Sequence, residues 1–347
     1  MKLSQFQQQL QKRKVDHALL ISGETTNPHL LYLTQLPKLT HAALLIPKKG
    51  KPSLFVSPLD YERVKKTRSV KVILLRTPLL KHLKNYKLKT LGLDFNHTYS
   101  SIKKIKKEFP KISDISPLIQ TLREVKTPEE IKFMAKAASI ANAAFKKIAT
   151  KFHSKTEAEV AAALEYEMAK NGASPAFPTI VASGKNAATP HHATTTKPLQ
   201  KGFCVIDFGA NYNGYCSDCT RTIYIGKQSA KEKEIYTLVL NAQQQALNAV
   251  KPGMSCQKLD AIARNQLKMY KKYFIHALGH GIGVEVHENP TVSQKSKGKL
   301  KQNMVITIEP GIYIPNKFGI RIEDTVVVGD KPHVLTSISK ELVKKSA

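Results

Sequence analysis

The sequence predicts two domains, an α/β domain over residues 1–123 and an α+β domain over residues 124–347. Three observations predict this division. At 347 residues the chain exceeds the ~250 to 300 at which a single hydrophobic core stops growing. Up to about residue 116, short apolar runs alternate with polar stretches of helical spacing; beyond residue 200, paired β-prone runs take over, with helical stretches near residues 230–250 and 256–269. Between these regions lies a sharp helix start, with Thr127 as N-cap, Pro128 at the first helical position and Glu130 as the reciprocal capping partner.

In the first domain the apolar runs at residues 18–21, 42–46, 53–56, 70–75 and 90–93 read as strands of a mixed sheet. No Gly-rich phosphate loop follows any of them, so this domain carries no catalytic signature. The Gln- and Lys-rich stretch at residues 1–14 lacks the apolar run of a secretory signal, and no segment approaches the ~18 apolar residues of a membrane span. With 41% apolar residues, a soluble cytoplasmic protein with no membrane partner is expected. The four cysteines, 204, 216, 219 and 256, do not form a disulfide framework in so long a chain. Cys216 and Cys219 fall in one predicted strand, where residues three apart point to opposite faces, so both are expected as free thiols. The net charge of +29 is spread over the chain: residues 1–126 hold 25 basic and 8 acidic side chains, the rest 30 and 18. Lys103, Lys104, Lys106 and Lys107 recur at helical spacing without interleaved aromatics, which fits a solvated helix face rather than a specific nucleic-acid site.

The second domain opens with two helices. Met134, Ala138, Ala141, Phe145 and Ile148 form one apolar stripe; Thr156 and Glu159 form a second capping box, followed by Val160, Leu164 and Met168, with Gly172 as the stop. Asn213-Gly214 then marks a tight hairpin, which places Tyr212 opposite Tyr215 and Asp218 opposite Gly209. Asp207 therefore shares a face with Asp218, diagonally across the pair. A second hairpin, centred on Asn316, pairs Glu309 directly with Glu323. Ile206, Phe208, Ile306, Ile308, Ile320 and Ile322 surround these acids with buried-strand composition.

Four carboxylates in one pocket would repel, each close pair by about 4 kcal/mol at a separation of about 4 Å and an effective dielectric near 20. Two divalent cations would balance them, and His280, framed by Gly279, Gly281 and Gly283, is the natural neutral ligand beside them. Oxygen-rich coordination with one imidazole favours hard six-coordinate ions; Mn2+ is the first choice, with Co2+ or Zn2+ possible. Arg321 lies two residues before Glu323, on the same strand face, and is expected either to orient a ligating carboxylate or to form a surface ion pair.

Asp207, Asp218, His280, Glu309 and Glu323, in this order and spacing, resemble the five metal ligands of the M24 "pita-bread" metallopeptidase family, which contains methionine aminopeptidase, aminopeptidase P and prolidase. Phe177-Pro178, Ser183-Gly184, Pro190-His191-His192, His287-Glu288 and Glu309-Pro310-Gly311 sit in similar contexts, so the resemblance covers about residues 124 to 336. It implies an α+β pita-bread catalytic domain behind a creatinase-type, ribonuclease H-like α/β N-terminal domain. Arg321-Ile322-Glu323-Asp324 resembles the proline-specific branch, which implies an exopeptidase acting on Xaa-Pro bonds of proline-containing peptides, as an aminopeptidase or a dipeptidase, and a homodimer. By the same resemblance Asp207 binds one ion, His280 and Glu309 the other, and Asp218 and Glu323 bridge them around a hydroxide nucleophile. Glu309 doubles as general base, and His191 and His287 contact the substrate; His192 and His276 are left as structural or surface residues. Two other readings exist on this fold, a metal-free amidinohydrolase and a binding protein for protein or nucleic acid. Both predict broken ligands, whereas all five are present, and a methionine-aminopeptidase-like activity is disfavoured by the large N-terminal domain.

Overall fold

The computed structural model describes residues 2–96, 99–149, 156–342 and 344–345. The chain divides into two compact units, Met1–Arg123 and Glu124–Ala347.

The first unit runs α1 (Lys2–Lys12), β1 (His17–Ile21), α2 (Pro28–Thr34), β2 (Ala43–Pro47), β3 (Ser53–Val56), α3 (Pro58–Val64), β4 (Lys71–Leu74), α4 (Leu79–Leu83), β5 (Leu91–Leu93), α5 (Tyr99–Glu108), β6 (Ile112–Asp114) and α6 (Ser116–Glu124). Its sheet has the order β4-β3-β2-β1-β5-β6, with antiparallel β1/β2 and β2/β3 and parallel pairs elsewhere, so it is mixed as expected. The five expected strands are present with ends displaced by about one residue. The sixth, β6, escaped sequence reading because two of its three residues are exposed and give no apolar run. Leu19, Leu45, Phe55, Leu93 and Ile105 fill the core on one face of the sheet. On α5, Lys103, Lys104, Lys106 and Lys107 are exposed and Ile105 is buried, the solvated face that their spacing predicts.

The second unit begins with α7 (Pro128–Ile148) and α8 (Glu157–Lys170), each opened by the expected capping box. Gly172, just past α8, takes the left-handed φ of 79° that a helix stop requires. There follow β7 (Ser174–Pro175), β8 (Ile180–Ser183), β9 (Gly202–Phe208), β10 (Ala210–Tyr212), β11 (Tyr215–Cys216) and β12 (Cys219–Ile225). The apolar faces of α7 and α8 bury Ala141, Phe145, Val160 and Leu164 against Ile206, Phe208 and Ile223. The rings of Phe145 and Phe208 stack at 5.1 Å.

The pattern then repeats: α9 (Ala230–Asn248) and α10 (Cys256–Gln266) precede β13 (Gly279–Gly281), β14 (Glu288–Val292), β15 (Val305–Ile308), β16 (Gly311–Ile314), β17 (Phe318–Arg321), β18 (Asp324–Val327), β19 (His333–Val334) and β20 (Lys344–Lys345). A third capping box, Ser229 with Glu232, starts α9. Val239, Ala246, Leu259 and Ala263 pack on Ile306, Ile308 and Val326. Two helices followed by a largely antiparallel sheet thus occur twice. The helix expected over residues 256–269 stops at Gln266, because Lys268 takes a φ of 50° and the chain continues as a 3₁₀ turn, Lys268–Tyr273.

Candidate metal centre

Both hairpins hold the register read from their turns. Asn213 and Gly214 have φ of 51° and 84°. From there Tyr212 pairs with Tyr215, and the same register continues to Phe208 with Cys219 and Asp207 with Thr220. In this register Asp218 falls opposite Gly209, on the face it shares with Asp207. Cys216 and Cys219 lie on two strands, β11 and β12, rather than in one. They are free and buried, and burial pushes both thiols up, Cys216 to about 12, so neither is a thiolate near neutral pH.

The second hairpin corrects one expectation. Gly311 pairs with Arg321 and Ile308 with Asp324, the register that would pair Glu309 with Glu323, but the ladder opens at those two residues. Glu309 N–H donates instead to Leu278 O at 2.8 Å, and Glu323 N–H to Thr220 O at 3.1 Å. Each acid is thereby tied to a different neighbouring segment, and its side chain is turned into the space between the two halves.

His280 arrives on β13, where a Cβ added at Gly279 would collide with the Thr307 carbonyl and one at Gly281 with the Asn289 carbonyl. The glycine frame is thus a consequence of backbone packed against backbone on both sides of the imidazole. Gly279→Ala is expected to lower stability by about 1–3 kcal/mol through overpacking, read as a reduced urea midpoint; an unchanged midpoint would remove this explanation for the glycine.

Four of the five side chains meet, and the fifth, Asp207, stands near enough for its charge to act on Asp218, Glu309 and Glu323. His280 Nε2 lies 3.7 Å from Asp218 Oδ2 and 3.4 Å from Glu309 Oε1. Among the described residues, one ligand atom each of Asp218, His280 and Glu323 lie within 4.8 Å of one another. Burial, followed by the charges of Glu323, Asp207 and Glu309, pushes the Asp218 carboxyl well above its ordinary range. Burial, with Glu309 and Asp207 nearby, does the same to Glu323, and burial raises Glu309 to about 8. His280 is pushed down to about 4, by burial first and by His287 second, and so is neutral and able to ligate at neutral pH. Asp207 Oδ1 and Asp218 Oδ1 are buried with no hydrogen-bond partner among the described residues. Orphaned acceptors in a pocket of mutually repelling acids are what a polycation would satisfy. Two divalent ions fit this donor set of oxygens and one imidazole.

Arg321 is 4% exposed, so the surface ion-pair reading fails. Its Nη2 donates to Asp207 Oδ2 at 2.7 Å, Nη1 to Tyr313 OH at 2.7 Å and Nε to Thr220 Oγ1 at 3.0 Å. It therefore orients a carboxylate, as expected, but that carboxylate is Asp207 from the other half and not Glu323. Thr220 in turn donates to Glu323 Oε2 at 2.7 Å, so one guanidinium reaches both halves of the acid set. Tyr313, which sequence reasoning missed, also meets His276 Nε2 at 3.0 Å; the His276 ring is pushed down to about 3 by burial and then by Arg321. His276 is thus a neutral prop inside the pocket wall.

Of the other histidines, His287 is exposed, with its ring 4.4 Å from that of His280, and His191 is exposed and close enough to add to the depression of His276. His192 has a structural partner, Glu157 Oε2 at 2.9 Å. Glu157, fully buried, also accepts from Ser183, Asn186 and Thr195, bonds that outweigh burial and hold it at about 2. The sequence offered only its place after the N-cap Thr156. It fastens the loop on which His191 is carried.

A hydrolase that works with divalent metal ions is the class that such a scaffold and pocket define. Residues 132–330 match the model of Metallopeptidase family M24 and residues 2–125 that of the Creatinase/Prolidase N-terminal domain, and the chain belongs to metallopeptidase family M24. It is 45% identical over 304 residues to the Xaa-Pro dipeptidase of Pyrococcus furiosus, covering 84% of this chain and 86% of that protein. Among solved structures it is similar to the prolidase of Pyrococcus horikoshii, with a TM-score of 0.92, 38% identity and 99% of both chains covered. It is also similar to the X-Pro aminopeptidase of Thermotoga maritima, with a TM-score of 0.89 and 34% identity over 96% of this chain and 98% of that one.

Proposed function

We propose that this protein is an Xaa-Pro dipeptidase, which hydrolyses the bond between an N-terminal residue and a following proline using two divalent ions. The observation that carries the reading is the convergence of Asp218, His280, Glu309 and Glu323, with Asp207 near enough for its charge to act on the three other acids, in a chain similar along most of its length to an Xaa-Pro dipeptidase. Such a bond is a tertiary amide with no N–H and a sizeable cis fraction, which explains a dedicated enzyme.

In this reading Asp207 would hold one ion, His280 and Glu309 the other, and Asp218 and Glu323 would serve both. When bound, the ions supply Lewis-acid polarisation of the scissile carbonyl and acidify water toward neutral pKa. The protein's own groups do the rest. Glu309 takes the proton of the attacking water and returns it to the proline nitrogen as the C–N bond breaks. His191 and His287, both exposed at the pocket, donate hydrogen bonds to substrate and to the oxygen on which charge develops. Arg321 fixes the orientation of Asp207 through their 2.7 Å ion pair.

Mn2+ is the ion that the oxygen-rich, single-imidazole set suits best. Four free, buried cysteines fit a reducing compartment, and so a cytoplasmic location. No helix of the described residues is long and apolar enough to cross a membrane. A homodimer is the assembly proposed, by resemblance to the family.

The test is a panel of Xaa-Pro, Xaa-Pro-Yaa and Met-Ala-Yaa peptides assayed after chelation and reconstitution with Mn2+, Co2+ or Zn2+. Xaa-Pro is expected to be cleaved fastest and only with metal. Preference for Xaa-Pro-Yaa would make the protein an aminopeptidase, and preference for the Met peptide would overturn proline specificity.

A further inference from the structure

The two halves of the second unit contribute the acid set separately. Asp207 and Asp218 come from the β9–β12 hairpin; His280, Glu309 and Glu323 come from the later strands. The two groups face each other across the seam at which β12 meets the segment entering β18, and that seam has a buried charged centre.

Arg221, three residues after Asp218, is 2% exposed, and Asp324, next to Glu323, is 0% exposed. Arg221 Nη2 donates to Asp324 Oδ1 at 2.8 Å and to Ile338 O at 2.9 Å. Its Nη1 donates to Thr220 O at 2.9 Å and, in a short contact, to the main-chain carbonyl of Glu323. Asp324 also accepts from Thr336 Oγ1 and Gln243 Nε2, each at 2.9 Å, and pairs with the Lys340 ammonium. Across the same seam Thr325 Oγ1 donates to the Asp218 carbonyl at 2.7 Å. Thus the backbones of Asp218 and Glu323, the two acids proposed to lie between the ions, are joined through one small network that also takes in residues 336–340.

We infer that Arg221 and Asp324 form a positioning clamp, which sets the spacing between the two ligand groups and so the affinity of the ion pair, with the C-terminal segment 336–340 as its outer anchor. A buried ion pair is a poor way to gain stability, since well-packed apolar residues often do as well or better. What a planar guanidinium adds is fixed geometry: its fork holds one carboxylate and three carbonyls at set angles, which neither Lys nor an apolar side chain reproduces. Neither residue touches substrate or ion; both act through Glu323 and Thr220.

The inference rests on the two-ion reading above, and the experiment keeps the two apart. Metal-stripped wild type, Arg221→Lys and Asp324→Asn are titrated with MnCl2 by calorimetry, with circular dichroism establishing that each chain is folded. Wild type is expected to take up two ions, and the folded variants to bind the weaker one on the order of 10–100-fold less tightly, with turnover recovered in excess Mn2+. A folded variant with wild-type affinity would overturn the clamp, whatever its melting temperature. If both variants fail to fold, Lys340→Met, which leaves the Arg221–Asp324 pair in place, is expected to show a smaller loss in the same direction. Unchanged affinity there would overturn the clamp equally. Wild type that binds no Mn2+ would instead refute the two-ion reading itself.

Discussion

Glu309→Gln is expected to lower kcat for an Xaa-Pro dipeptide by about 10²- to 10⁴-fold, the range that a positioned general base supplies. The amide keeps the shape of the side chain, and its oxygen can still accept from Thr307 Oγ1, which lies 3.2 Å from Glu309 Oε1. It cannot carry a proton. Because the substitution also removes one negative ligand, the assay is run in saturating Mn2+ with the fold checked by circular dichroism. If excess metal restored a near-normal rate, Glu309 would be a ligand alone and the proton would need another carrier.

Removal of the metal is expected to reduce activity to background and to change how stability depends on pH. Glu309, raised from 4.5 to about 8, and Asp218 and Glu323, raised by burial and by neighbouring acids, take up protons on folding. Their contribution is complete below the unfolded values and is lost as pH rises through the folded ones. His280 and His276 work the other way. Lowered from 6.5 to about 4 and about 3, they favour the folded state above pH 6.5 and lose that contribution as pH falls toward their folded values. Above about pH 6.5 the histidines are neutral in both states, so from there to about pH 8 the carboxylates alone set the slope. The metal-free chain should melt at progressively lower temperature across that window, and the metal-loaded chain should not, since cations take the place of the protons. Equal slopes with and without chelator would show that these acids do not share one buried site.

The parts of the fold that could be read in advance are those governed by local rules. Two capping boxes, a left-handed glycine stop and an Asn-Gly turn each specify their own geometry, and the turn carried its register as far as Asp207 and Thr220. The acid set was legible because carboxylates among Ile and Phe in strands have no ordinary explanation. The break at Glu309 and Glu323 was only half legible. Pro310-Gly311, directly after Glu309, marks a local interruption of the strand, but nothing nearby names the segments that take up the freed N–H groups, those of Leu278 and Thr220, distant in sequence. Arg321 orients a carboxylate as expected, but which one stayed hidden: strand parity names its neighbours on one strand, while its partner Asp207 lies 114 residues away. Glu157, Tyr313, Arg221 and Asp324 act through tertiary hydrogen bonds that no local pattern announces.

The most direct test of the central claim is a crystal of this protein grown with Mn2+ and measured at the manganese absorption edge. Two anomalous peaks are predicted, with Asp218 and Glu323 between them, Asp207 on one side and His280 with Glu309 on the other. No peak within reach of these five side chains, or a single peak that leaves Asp207 on Arg321 alone, would contradict a two-ion centre.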